Sequence, residues 1–280
     1  MRERLPEYLK RPIIDTDATR KVRRTLKNRC LNTVCENARC PNKNECYTKN
    51  TATFLIMGGV CTRNCRYCNI SCAKPLPLDS EEPLHVAEAV RDLELKYAVI
   101  TSVTRDDLSD GGAEHFKQCI VNIRKMTPEV KIEILTPDFK GGKASLDTII
   151  DAHPDVFNHN IETARDIFKT ARPQGNYEVS LNVLKYMKEK GNLITKSGFM
   201  IGLGESIEQI EDTLKDLKSA GVDIVTIGQY IQPSKEHLQV QKYYKPEEYE
   251  ELKQLAQKTG FTHYQIGPLV RSSYCAAELV

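Results

Sequence analysis

The sequence predicts an α/β fold, a partial (β/α)6 TIM barrel with N- and C-terminal extensions. Two observations carry this prediction: six short β-prone runs alternate with amphipathic helical patterns, and the 280-residue length suits one large core with short appendages. Six units fall short of the eight that close a full barrel, so the expected sheet is open, with a lateral gap flanked by the termini. The expected organisation is an N-terminal extension over 1–50, the barrel over 51–235 and a C-terminal extension over 236–280.

The strand candidates are Thr53–Gly58, Tyr97–Ser102, Lys131–Leu135, Asp155–His159, Gly198–Ile201 and Asp223–Gly228, each short and rich in Val, Ile, Phe or Leu. The helix after the fifth strand is the most clearly signalled. Ser206 and Gln209 have capping-box spacing, Ile207, Ile210, Leu214 and Leu217 recur on one expected face, and Gly221 terminates it. A similar pattern follows Pro246, with Tyr249, Leu252, Leu255 and Ala256 on one side and Gly260 as its stop.

Charge excludes some function classes. Lys plus Arg number 40 against 38 Asp plus Glu, a balance that offers no general attraction for nucleic acid or an anionic membrane. The exception is local: residues 1–29 hold ten Lys/Arg against four Asp/Glu, either a solvated face or a dock for an acidic partner. No run reaches the roughly 18 apolar residues of a membrane span, and Glu3, Glu7, Asp15 and Asp17 spoil a targeting-peptide reading. The expected location is the cytoplasm, where thiols stay reduced.

Eight of the ten cysteines, Cys30, Cys35, Cys40, Cys46, Cys61, Cys65, Cys68 and Cys72, fall between positions 30 and 72. Clustered thiols in a reducing compartment suggest metal rather than disulfides. Cys61, Cys65 and Cys68 form CxxxCxxC directly after the first strand, where barrel enzymes place their chemistry. Three thiolates wrapped by one loop can ligate three irons of a [4Fe-4S] cluster and leave the fourth open to a small molecule. A zinc site needs four ligands; Cys72 could complete one, but the pairs are unevenly spaced and no His lies nearby. Upstream, Cys35, Cys40 and Cys46 form CxxxxCxxxxxC, again three ligands and again spaced poorly for a zinc finger.

The CxxxCxxC spacing resembles the radical S-adenosylmethionine superfamily. That resemblance implies that the open iron chelates the amino and carboxylate groups of S-adenosylmethionine, and that Tyr67 lies beside the adenine. Taken with the upstream set and with Arg271-Ser272-Ser273-Tyr274, the chain resembles the lipoyl synthase family over nearly its whole length. Other matching segments are Ala52–Gly58, Arg105-Asp106-Asp107, Asp110-Gly111-Gly112, Asn158–Thr163, Gly202–Glu205 and Gly228-Gln229-Tyr230.

The resemblance implies two [4Fe-4S] clusters, the second an auxiliary one held in the extensions by Cys35, Cys40, Cys46 and a serine, assigned to Ser273 with Ser272 the alternative. It implies sulfur insertion at C6 and C8 of an octanoyl chain on a carrier-protein lysine, one S-adenosylmethionine for each C–H bond broken. The expected partners are the octanoylated lipoyl domain of a 2-oxoacid dehydrogenase or the glycine cleavage H protein, a flavodoxin- or ferredoxin-type electron donor, and an iron–sulfur carrier that rebuilds the spent cluster. Arg105, Asp107, Asn160 and Glu162, on loops at the barrel mouth, are candidates to hold the cofactor's polar groups. Arg271 is a candidate to position the serine, Lys196 is left without a role, and the histidines show no metal-like spacing.

The sequence departs from the family pattern at Tyr47, where tryptophan is common, at Val179, where an arginine is usual, and at Cys275, which replaces a histidine. Cys30, Cys72, Cys119 and Cys275 are read as non-ligands. Two other functions compete: a different sulfur-inserting radical enzyme, biotin-synthase-like, and a structural metal module that scaffolds partners.

Overall fold

Short runs of β-branched and aromatic residues can hide both faces only inside a parallel sheet covered by helices. The computed structural model, which describes residues 5–280, has that architecture. The first residues of the basic segment, 1–4, lie outside the described residues.

The chain opens with helix α1 (Asp17–Asn28), capped by Thr16, then strand β1 (Asn32–Thr33) and short helices α2 (Val34–Asn37) and α3 (Lys43–Thr48). Strand β2 (Thr53–Ile56) begins the barrel, followed by a small pair, β3 (Val60–Cys61) and β4 (Ser71–Cys72). Next come α4 (Glu82–Asp92), β5 (Tyr97–Ser102), α5 (Ala113–Met126), β6 (Lys131–Leu135), α6 (Lys143–Asp151) and β7 (Val156–Asn158). The remainder is α7 (Arg165–Ala171), α8 (Tyr177–Gly191), β8 (Ile194–Ile201), α9 (Ile207–Ser219), β9 (Ile224–Gln229), α10 (Pro246–Lys258) and β10 (His263–Gly267).

The main sheet runs β1-β2-β5-β6-β7-β8-β9-β10, parallel throughout except for β1, which pairs antiparallel with β2. All six expected strands are present. A seventh parallel strand, β10, extends the sheet beyond them; its His263, Tyr264 and Gln265 carry too little apolar character to announce a strand. The sheet stays open between β1 and β10, and the termini flank that seam. Asn42 Nδ2 donates to Leu269 O (2.6 Å), Tyr274 OH to Glu45 Oε1 (2.8 Å), and Tyr8 OH to Tyr244 O (2.8 Å).

Helix α9 carries the expected capping box, Gln209 N to Ser206 Oγ (3.2 Å) and Ser206 N to Gln209 Oε1 (2.9 Å), and Gly221 ends it at φ +80°. Its buried face is Ile210, Thr213, Leu214 and Leu217, each fully buried Leu or Ile contributing about 1.5–3 kcal/mol. Ile207 corrects the expectation: it is 44% exposed, because the first residue of the helix starts on the solvent side. In α10, Tyr249, Leu252 and Ala256 are buried and Leu255 packs at their margin.

Part of the basic arm is engaged in ion pairs, most of them at the surface. Arg20 and Arg23 pair with Asp15, Arg20 also with Asp17, Lys21 with Glu94, and Arg29 with Glu88 and Asp92 of α4. Several of its charges are thus neutralised within the fold. Among the described residues no helix is long and apolar enough to cross a membrane.

Two buried polar groups stiffen the sheet. Lys196, wholly buried on β8, reaches both Glu133 oxygens on β6 at 3.1 Å, and Glu133 also accepts from Tyr97 OH (2.7 Å) and Asn158 Nδ2 (2.8 Å). This pairing explains why β8 begins at Ile194, four residues before the expected Gly198: a buried lysine disguises the strand. Beyond β7, His159 Nδ1 lies 2.9 Å from Thr136 O and Nε2 lies 3.0 Å from Ser180 Oγ on α8. A carbonyl only accepts, so the proton sits on Nδ1 and Ser180 donates to Nε2. Burial, helped by the nearby Arg172 charge, pushes His159 down to about 4.

Replacing Lys196 by Met leaves Glu133 buried without its counter-charge and should cost about 3–5 kcal/mol in urea unfolding, with Glu133→Gln in the same chain recovering part of it. An unchanged midpoint for Lys196→Met would contradict this role. An unfolded histidine titrates near 6.5 and folded His159 near 4, so in that window the unfolded chain binds the extra proton. Stability is full above about pH 6.5 and should decline by ~3 kcal/mol as pH falls towards 4. His159→Gln should flatten that part of the urea-unfolding profile.

Candidate iron–sulfur site

Cys61 ends β3, Cys65 and Cys68 lie on the loop from it to β4, and hydrogen bonds fix this segment on several sides. Thr62 N and Oγ1 donate to Thr104 O (3.0 and 2.9 Å), and Asp106 N donates to Thr62 Oγ1 (3.0 Å). Arg66 N donates to Ala171 O (2.8 Å) and Asn64 N to Gln174 Oε1 (2.9 Å). From the opposite side, Leu238 N donates to Arg66 O (3.0 Å) and the His237 Nε2–H to Cys68 O (2.8 Å).

Arg63, between the first two cysteines, is the anchor. Only 4% exposed, it donates Nε and Nη2 to Asp106 (2.7 and 2.9 Å) and Nη1 and Nη2 to Asp138 (2.6 and 2.8 Å), a double two-pronged grip. Arg172 Nη2 adds a third bond to Asp138 at 3.3 Å. Burial alone would raise the Asp138 carboxyl, but Arg63 and Arg172 hold it far below the usual carboxylate range.

The three thiols lie close enough that ionising one would raise its neighbours. Burial pushes Cys68 up to about 12 and raises Cys65. Backbone N–H groups point at their sulfurs: Thr104 N and Arg63 N at Cys61 Sγ (3.3 and 3.4 Å) and Ile70 N at Cys68 Sγ (3.5 Å). Such donors stabilise a thiolate once a metal takes its proton, and they are the outer support that iron–sulfur ligands use.

Around this trio the structure gathers three of the five candidate cofactor contacts. Glu162 lies within hydrogen-bonding reach of Tyr67 and Asn160, and Tyr67 of Cys65. Glu162 takes a left-handed φ of +74°, held by Glu162 N to Gly198 O (3.0 Å) and Met200 N to Glu162 O (2.8 Å). Burial raises the Glu162 carboxyl, with the Arg172 charge opposing. Arg105 and Asp107, on the loop after β5, pair with each other, Nε to Oδ1 at 2.9 Å and Nη2 to Oδ2 at 2.8 Å. This bond holds Asp107 below its usual range.

The second trio sits in the N-terminal extension. Cys35 is buried in α2, Cys40 follows it, and Cys46 is half-buried in α3; their thiols are mutually coupled through charge. Burial pushes Cys35 up to about 11 and Cys46 up to about 12. The C-terminal tail comes to this trio. Arg271 lies beside Cys40, its Nη1 bonded to Val270 O (2.6 Å), while Ser273 lines a cavity of about 390 Å³ with Glu45, Cys46, Lys49 and Cys275. Ser272 turns elsewhere and donates to Asn160 Oδ1 (2.8 Å). Two glycines let the tail lie against the strands: a Cβ on Gly228 would come within 2.1 Å of Val270 O, and one on Gly198 within 3.0 Å of Ser272 Oγ.

The donor set fits two iron–sulfur clusters with a polar cofactor nearby. Among the described residues no three Cys, His, Asp or Glu side chains converge as they would on a single ion, whereas a cubane takes its thiolates at separate corners. Among the buried polar atoms without a partner are Ser102 Oγ and Arg105 Nη1 at and after the end of β5, Thr136 Oγ1 after β6, and Arg172 Nε after α7. Such atoms are costly unless a bound polar group or water satisfies them.

Arg63, Arg172, Asp106, Asp138 and His237 were missed as site residues by sequence reasoning. Arg63 had a signal in its place within the cysteine motif; the others meet it only through the fold. At the family departures, Tyr47 is fully buried with its OH 3.1 Å from Thr33 Oγ1, Val179 packs at the start of α8 near Gly141, and Cys275 takes a left-handed φ of +49°.

Comparison with known proteins places this geometry. The sequence model of the Radical SAM superfamily matches residues 55–217. Among solved structures, methylornithine synthase superposes with a TM-score of 0.59 at 13% identity, covering 88% of this chain and 71% of that one. A maturase of the [FeFe]-hydrogenase gives 0.58 at 12% identity, covering 90% and 56%. These likenesses show the barrel fold. In sequence, the chain is 53% identical to a lipoyl synthase of Shewanella sp. (strain ANA-3) over 91% of its own length and 80% of that protein. It is 50% identical to a lipoyl synthase of Caldanaerobacter subterraneus subsp. tengcongensis over 99% of its length and 97% of that protein. With half its residues shared from end to end and the superfamily's matched region spanning most of the barrel, the chain belongs to the lipoyl synthase family of radical SAM proteins.

Proposed function

We propose that the chain inserts two sulfur atoms, at C6 and C8, into an octanoyl group held on a lysine of a carrier protein, using two S-adenosylmethionine molecules and sulfur from its auxiliary cluster. The observation that carries this reading is the pair of separate thiol trios, one in the barrel loop and one met by the serine-bearing tail, in a chain that matches lipoyl synthases along its whole length.

Unactivated methylene hydrogens are neither acidic nor electrophilic, so a general base or metal-bound water cannot remove them at useful rates. When bound, the cluster on Cys61, Cys65 and Cys68 supplies the electron that cleaves S-adenosylmethionine to a hydrogen-abstracting radical. The chain's own residues prepare the ground for that step. Tyr67, Asn160 and Glu162 form a polar wall beside Cys65 suited to the cofactor's adenine, ribose and ammonium groups. Arg105, its Nη1 buried and unpartnered, offers a donor for the cofactor's carboxylate and is itself oriented by Asp107.

Cys35, Cys40, Cys46 and Ser273 hold the auxiliary cluster, which is the sulfur source and thus a substrate. A serine oxygen is a harder ligand than a thiolate and is displaced by protonation, so that corner opens most readily when the sulfur must leave. Ser273 is favoured over Ser272 because it shares a cavity with Cys46, while Ser272 is committed to Asn160. The open seam beside β10 and β1 suits a substrate that arrives as a chain on another protein.

The reaction belongs in the cytoplasm, with a flavodoxin- or ferredoxin-type electron donor and an iron–sulfur carrier to restore the consumed cluster. The physiological carrier is an octanoylated lipoyl domain or glycine cleavage H protein.

Anaerobically reconstituted protein, given a reductant and S-adenosylmethionine, should convert an octanoyl-lysyl peptide to its lipoyl form, read as a mass gain from two inserted sulfurs. Cofactor cleavage without sulfur in the octanoyl product would reject the assignment in favour of another radical enzyme. Ser273→Cys should retain the auxiliary cluster's iron and abolish sulfur transfer, while Ser272→Cys leaves substantial transfer. The reverse ranking would reassign the ligand.

A further inference from the structure

The β9–α10 connection, residues 230–245, contains no helix or strand, yet side chains brace it throughout. Buried Gln229 donates to Ile201 O, Tyr230 O and Lys242 O (3.2, 3.2 and 3.0 Å) and accepts from Tyr244 N (3.0 Å) and Tyr249 OH (3.2 Å). Tyr230 OH donates to Leu238 O (2.9 Å) and Gln232 Nε2 to His237 O (2.9 Å). A connection held this firmly is a structural part, not slack chain.

Its tip is His237, whose two ring nitrogens are both engaged. Nε2 lies 2.8 Å from the Cys68 carbonyl and Nδ1 2.8 Å from Ser234 Oγ. The carbonyl only accepts, so the proton resides on Nε2 and the Ser234 hydroxyl donates to Nδ1. Next to it, Leu238 N holds Arg66 O at 3.0 Å, while from the other side of the loop Ala171 O accepts from Arg66 N at 2.8 Å. The peptide units around Arg66 and Cys68 are therefore gripped between two jaws, one from the C-terminal end of α7 and one from the β9–α10 connection. Between the jaws a cavity of about 570 Å³, lined by Cys65, Arg66, Gln174 and His237, reaches the thiol loop.

We propose that His237 is a positioning residue for the radical-forming cluster, its Nε2–H fixing the backbone of Cys68 so that the loop presents its open iron to S-adenosylmethionine in one orientation. This rests on the reading that Cys61, Cys65 and Cys68 hold that cluster. A net hydrogen bond of about 1 kcal/mol corresponds to roughly fivefold in a binding constant, and outer partners of metal ligands carry about 10- to 100-fold effects.

The test compares His237→Gln, His237→Asn and His237→Ala in the full-length, anaerobically reconstituted protein. A glutamine amide can place its N–H near Nε2, whereas an asparagine amide reaches only the Nδ1 side. Iron per chain, thermal unfolding midpoint, S-adenosylmethionine affinity and the change that S-adenosylmethionine causes in the reduced protein's electron paramagnetic resonance spectrum are measured for each. His237→Gln should match the parent. His237→Asn and His237→Ala should keep the unfolding midpoint, bind S-adenosylmethionine about five- to tenfold more weakly, and give a broadened cofactor-induced spectrum. Loss of iron in His237→Ala with retention in His237→Gln would support the same positioning role through the cluster itself. Parent-like affinity and spectra in the Asn and Ala variants, or equal impairment in all three, would overturn the proposal. A parent protein whose spectrum ignores S-adenosylmethionine would instead remove the cluster assignment beneath it.

Discussion

A thiol removed from water prefers to keep its proton, and each of this chain's two thiol trios contains sulfurs in surroundings that enforce that preference. Cys35 is pushed up to about 11, and Cys46 and Cys68 up to about 12, so at neutral pH these sulfurs are uncharged unless a metal takes the proton's place. A bound cation inverts this logic and deprotonates the ligand outright. The N–H groups aimed at Cys61 and Cys68 then meet thiolates, which accept hydrogen bonds far better than thiols. Much of the remaining architecture serves to hold the two trios in place and apart.

For the barrel trio the holding element is Arg63. A guanidinium that is 4% exposed and shared between Asp106 and Asp138 is stable only because both carboxylates are in place, and together they pin the thiol loop to the ends of β5 and β6. For the second trio it is the C-terminal tail. Val270 O lies so close to β9 that only glycine fits at 228, Ser272 Oγ lies against Gly198 of β8, and this path brings Ser273 to the cavity beside Cys46. Segments distant in sequence thereby meet at the seam of an open sheet.

Most of the architecture was legible in the residues. Strand runs such as Tyr97–Ser102 and Lys131–Leu135 were bounded as they fold, and the capping box at Ser206 and Gln209 formed as spaced. The two cysteine trios stand out in the sequence because each lies in a short, contiguous segment. What escaped notice depends on long-range partners. Lys196 reads as a residue without a role until Glu133 is beside it, the polar β10 reads as tail until β9 offers it hydrogen bonds, and Arg172 and Asp138 reveal their role only when the fold brings them to Arg63. The pairs from the basic arm to Glu88, Asp92 and Glu94 escape notice for the same reason, since these acids lie far along the chain.

The central claim is that the two thiol trios are independent sites, each holding its own four-iron cluster. It is tested most directly by iron analysis and Mössbauer spectroscopy of anaerobically reconstituted protein beside two triple variants, Cys35/Cys40/Cys46→Ala and Cys61/Cys65/Cys68→Ala. The account predicts about eight irons in the parent and about four in each variant, all in [4Fe-4S] form. Four irons in the parent, or loss of all iron when either trio is replaced, would contradict it.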